Sequence, residues 1–134
     1  MYLDQFGNPL PAGTALRVPA LFHHQGIVDY DDATGEQVML HNSKKRGQVA
    51  QTDPSEFNNG RFPVALARPL PVDRLPVIVR SAREDVQSGR RWTVFDNCQD
   101  FVSRAYDGHD GSATRTFIVG ALLVSGLLWA LSAE

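Results

Sequence analysis

Apolar and polar positions in this chain form short extended runs over its first eighty residues and helical spacing near residue 100. Residues 1–13 carry Gly7, Pro9, Pro11 and Gly13, which predict an extended, turn-rich entry. Residues 15–20 (ALRVPA) predict a short strand that Pro19 ends or confines to an edge. Two β-rich runs follow, residues 22–30 (FHHQGIVDY) and 36–41 (EQVMLH). The turn sequence DDATG between them predicts a hairpin. Residues 43–55 read as a polar loop, and residues 61–67 (RFPVALA) and 76–79 (PVIV) as two further short strands, each with a proline in it or beside it. Residues 81–88 (SAREDVQS) read as a helix with Ser81 as its cap, Glu84 at capping-box spacing and Gly89 closing it.

The last pattern is the most informative. After the short apolar run 91–95 (RWTVF), Asp96 or Asn97 is a good N-cap. Phe101, Val102, Ala105 and Tyr106 then recur at helical spacing until Gly108 stops the run. The expected fold class is α+β, an antiparallel sheet packed on this helix. Its first turn holds Cys98, the chain's one cysteine.

The C-terminal pattern is different in kind. Residues 116–133 run for 18 positions without a charge, close to the ~20 apolar residues that span a bilayer. The run is apolar on all sides, which an amphipathic surface helix is not. Trp129 near its end suits a membrane interface, and Ala121 with Ser125 forms a small-xxx-small pair suited to close helix approach. The chain therefore divides into a domain over 1–110 and a linker with a hydrophobic helix over 111–134. That helix is expected to anchor the protein in a membrane; the alternative is a buried helix, or one packed in a homodimer.

Composition narrows the partners. With 43% hydrophobic and 21% charged residues in 134, the chain has the makeup of one globular domain. A net charge of −2 offers no basic field for a phosphate backbone, so nucleic acid is not an expected partner. One cysteine forms no intrachain disulfide. The N-terminus has neither a basic start nor an apolar run and does not read as a secretory signal.

Cys98 is either a small buried filler or a nucleophile. At a helix start, unpaired N–H groups and the helix dipole stabilise a thiolate. A nucleophile also needs a base and a group to orient that base, and the candidates are His23, His24, His41 and His109. A four-residue hairpin loop over 31–34 would set His24 directly opposite His41 on one face, with His23 pointing to the other. A shift of one residue would promote His23 instead. His109 falls in a polar linker. Two histidines and a thiolate could arithmetically hold zinc, but no ligand spacing supports a metal, and no cofactor is implied.

Four stretches together resemble a known family: Leu16-Arg17-Val18-Pro19, His23-His24-Gln25-Gly26-Ile27-Val28, Val38-Met39-Leu40-His41 and Asn97-Cys98-Gln99-Asp100-Phe101-Val102. They are similar to the lecithin:retinol acyltransferase-like proteins of the NlpC-type, permuted papain-like superfamily, in which two histidines precede the cysteine. The resemblance spans roughly residues 9–108. It implies a permuted papain-like fold, with Cys98 as nucleophile, His24 as base and His41 as the orienting third residue. If the box is displaced by one, His23 takes the place of His24. Gln25 stands where many members have an aromatic residue, and Gln99-Asp100 replaces the usual Glu-His.

The implied activity is thiol-based acyl hydrolysis or acyl transfer through a thioester. The expected substrate is a phospholipid or another acyl lipid, reached from a membrane-associated site facing the cytoplasm. Rival readings are an NlpC-type amidase or peptidase and a non-catalytic, membrane-tethered binding module. The basic run Lys44-Lys45-Arg46 faces either anionic lipid or plain solvent.

Overall fold

The computed structural model describes residues 1–20 and 23–108. The apolar segment 116–133 and His109 lie outside the described residues, so the anchor and the fourth histidine stay as sequence expectations. Among the described residues no helix is long and apolar enough to cross a membrane.

Five strands make one antiparallel sheet: β1 (Ala15–Val18), β2 (His24–Tyr30), β3 (Gln37–Ser43), β4 (Gln48–Thr52) and β5 (Ala65–Leu66), in the order β4-β3-β2-β1-β5. Helix α1 (Pro54–Asn58) follows β4, while α2 (Leu75–Ser88) and α3 (Cys98–Asp107) follow β5. The α+β class is therefore as expected.

The hairpin forms with a different register. Tyr30 pairs with Gln37 and Ile27 with Leu40, so the loop holds six residues, 31–36, rather than four. Asp31 is the cause. Its carboxylate accepts from the N–H groups of Ala33 and Thr34, and its backbone N–H donates to Glu36 O, closing a wider turn. The offset from the predicted pairing is two residues. An even slip returns every side chain to the same face, so His24 and His41 stay together as diagonal rather than direct neighbours.

Four sequence readings are corrected. The supposed loop 43–55 contains β3's last residue, all of β4 and the start of α1. The supposed strand 76–79 is the first turn of α2, with Pro76 in the first turn where its missing N–H costs nothing. Ser81 is thus a mid-helix residue, not a cap. Ile78, Ala82 and Val86 lie four residues apart on one face, and packing that stripe outweighs the β preference of Val77, Ile78 and Val79. Of the strand expected over 61–67 only Ala65–Leu66 pairs.

The sheet buries both faces. On one, Ala15, Ile27, Leu40 and Val49 meet Ile78 and Ala82 of α2 and Phe101, Val102 and Ala105 of α3. On the other, Leu16, Val18, Val28 and Met39 meet Phe57 of α1. Arg83 fastens α2 to β2 through a two-pronged bond to buried Asp29, at 2.7 and 2.9 Å. That geometry matches the carboxylate well. Gly26 sits where β2 meets α1: a Cβ there would lie 2.7 Å from Phe57 Cε1, so only glycine lets the ring close on the strand.

Candidate functional site

His24 opens β2 and His41 lies near the end of β3, and the pleat puts both on the Phe57 face. Both are buried, at 2% and 1% exposure. Their rings meet edge to face, with His24 Nε2 2.9 Å from His41 Nδ1. Phe57 lies against both, its centroid 5.0 Å from His24 and 5.4 Å from His41.

The chain of contacts continues to a residue the sequence reading passed over. Thr52 Oγ1 lies 2.8 Å from His41 Nε2, and its hydroxyl donates to Asp53 O at 3.3 Å. A hydroxyl has one proton and a carbonyl has none to give. In the tautomer that goes with this proton on Asp53, His41 donates from Nε2 to Thr52 and accepts at Nδ1. His24 must then donate from Nε2 to His41. Nδ1, fully buried, is left as the ring nitrogen of His24 that carries the basic lone pair. Thr52 could have been found from sequence only through the parity of β4, which places it on the His41 face opposite Met39.

Burial lowers the pKa of His24 well below the ordinary 6.5, and the charge of Arg61 pushes the same way. Near neutral pH its ring is therefore in the base form. Of the two histidines in the box, His24 is the one joined to His41. His23 is exposed, precedes the strand and has a positive φ of 53°, a left-handed conformation in which a non-glycine residue is uncommon.

Cys98 is the first residue of α3 and is half-buried. Asn97 caps the helix: its Oδ1 accepts from Gln99 N at 3.0 Å, and its own N–H donates to Asp100 Oδ2 at 3.1 Å. This reciprocal pair is a capping box. Asp100, fully buried, thus has a defined structural task in this cap. Three more contacts fix the helix start. Asn42 of β3 donates to Asp96 O at 2.9 Å, and Arg104 grips Asp96 at 2.7 Å and Asp85 of α2 at 2.9 Å.

The body of α3 packs on the sheet face opposite His24, so helix start and histidine can meet only around the end of β2. The first turn of α3 does reach that corner, where Gln99 Nε2 lies 3.5 Å from His23 O. A cavity of ≈ 400 Å³ opens on His24 and Phe57 and is rimmed by Lys44, Lys45, Glu56 and Arg61. Among the described residues no three His, Cys, Asp or Glu side chains gather as a metal site requires.

No protein-family model matches the chain, and no curated protein matches it.

Proposed function

We propose that this protein is a cysteine-dependent acyl hydrolase or acyltransferase of permuted papain-like architecture, working on a phospholipid or another acyl lipid. The observation that carries the reading is the buried chain His24–His41–Thr52, which holds a neutral imidazole with its basic nitrogen defined. The resemblance of the histidine and cysteine boxes to the lecithin:retinol acyltransferase-like proteins gives the same order of residues.

In this mechanism Cys98 is brought to His24 at the corner where α3 begins. Its thiol proton passes to His24 Nδ1 and its Sγ bonds to the carbonyl carbon of the ester or amide. The carbonyl π electrons move onto oxygen, where the positive end of the α3 dipole stabilises the charge. Collapse breaks the bond to the leaving group, which takes the proton from His24, and a thioester on Cys98 remains. Water or an acceptor alcohol or amine then gives its proton to His24 and attacks the thioester. The acid or the new ester or amide leaves, and the thiol is restored. His41 holds the ring of His24 and disperses its transient positive charge, as Thr52 fixes His41 in turn. The apolar segment 116–133 would keep the site at a bilayer, with the domain on the cytoplasmic side.

The test is incubation of full-length protein and Cys98→Ala with mixed phospholipid vesicles and with short peptides, followed by intact-mass analysis. An acyl adduct on Cys98 from lipid is expected. Acylation from peptide alone would favour the amidase or peptidase reading, and no adduct with undiminished turnover in Cys98→Ala would remove the cysteine mechanism.

A further inference from the structure

The cavity beside His24 has a charge pattern that the acyl-transfer chemistry does not require. Three cations, Lys44, Lys45 and Arg61, share its wall with one carboxylate, Glu56. That carboxylate is already engaged: Arg46 holds it with two bonds at 2.6 and 2.8 Å. Within the run Lys44-Lys45-Arg46, Arg46 holds Glu56 while Lys44 and Lys45 line the cavity, Lys44 with its Nζ 5.4 Å from the centroid of the Trp92 ring. Arg61 arrives from beyond α1, so sequence spacing gave no hint that it joins them. Its charge is felt at His24, and that of Lys45 at Glu56. Phe57 and the His24 ring supply an apolar floor.

We infer that this cavity is an oxyanion-binding subsite: it holds a phosphate or carboxylate of the acyl substrate while the carbonyl lies at His24. The inference rests on the acyl-transfer reading for its role and on the cavity's own charges for its existence. The oxyanion belongs either to a lipid headgroup or to a soluble acyl compound, and the subsite serves both through the same three cations.

Full-length protein is assayed with neutral p-nitrophenyl acetate and two carboxylate-bearing analogues, one charged on the acyl part and one on the leaving group. Vesicles of phosphatidylcholine with and without phosphatidylglycerol form the lipid arm. In kcat/KM at least one charged ester is expected to exceed the neutral one by on the order of tenfold, the yield of three partly exposed cations. That ratio is expected to fall toward one in Lys44→Gln/Lys45→Gln/Arg61→Gln. It should also fall in the wild type when ionic strength rises from about 0.02 to 0.5 M, which requires no mutant to fold. Inorganic phosphate should shift the His24 ring resonances of the wild type and not of the triple variant. Cys98-dependent turnover with no charge preference and no phosphate shift overturns the subsite and leaves the acyl-transfer reading standing. A phosphate shift with no Cys98-dependent turnover does the reverse. A preference on anionic vesicles alone would assign the effect to surface attraction and overturn the subsite.

Discussion

His24 Nε2 and His41 Nδ1 lie 2.9 Å apart, both rings buried against Phe57. This bond defines which nitrogen of His24 is basic, and Thr52 defines it in turn through His41.

His41→Ala removes the orienting ring and should lower kcat by about a hundredfold, within the range for a positioned general base. Thr52→Val removes only the outermost hydroxyl and should cost about threefold to tenfold, the worth of one hydrogen bond. Both are positioning residues, so the acid limb of the kcat/KM–pH profile should move with each. An unmoved limb with a reduced rate would mean that Thr52 serves packing alone.

Acid should destabilise the protein partly through His24. Its folded pKa lies well below the ordinary 6.5, so below about pH 6.5 the unfolded chain binds a proton that the folded chain refuses. Stability from this group is present above that pH and is lost as pH falls toward the folded value. Urea denaturation of wild type and His24→Asn between pH 8 and 5 should show the wild type falling more steeply; parallel curves would contradict the burial of a neutral ring.

The capping box should behave as one motif. Asn97→Ala is expected to cost about 1 kcal/mol, and Asp100→Ala about 1–3 kcal/mol because it strips the acceptor from a buried N–H. The double variant should cost less than the sum, since each change removes part of the same arrangement. Strict additivity in urea melts would argue that Asp100 acts elsewhere.

Gly26→Ala should be disruptive for its size. The added methyl meets Phe57, the ring that covers both histidines. A cost of about 1–3 kcal/mol is expected from overpacking, together with displaced His24 and His41 ring resonances. Phe57→Leu in the same background should recover part of the stability, because it removes the clashing ring edge. No recovery would place the strain in the backbone instead.

How much of this was legible in the sequence depended on which errors parity forgives. The hairpin loop was short by two residues, yet two is the period of a strand, so His24 and His41 were still placed on one face. The α3 cap and its glycine stop are local signals and were readable as such. Residues 76–79 misled because three β-branched side chains speak for a strand, whereas the deciding stripe, Ile78-Ala82-Val86, spans the next turns. Thr52 was hidden because β4 is an edge strand of mostly polar residues with a single buried apolar anchor, Val49. Arg61 was hidden because its place beside Lys44 and Lys45 depends on how α1 turns the chain back, which no local pattern encodes.

The central claim is that Cys98 and His24 form one proton-transferring pair, and the pH dependence of Cys98 alkylation tests it most directly. Iodoacetamide labelling of full-length protein and of His24→Gln is followed by mass spectrometry across pH 5 to 10. The wild type is predicted to label with an apparent pKa well below the ~8.5 of a free thiol, and His24→Gln to move that value upward and slow labelling at neutral pH. Identical profiles for the two proteins, or a wild-type thiol that does not react until alkaline pH, would contradict the account.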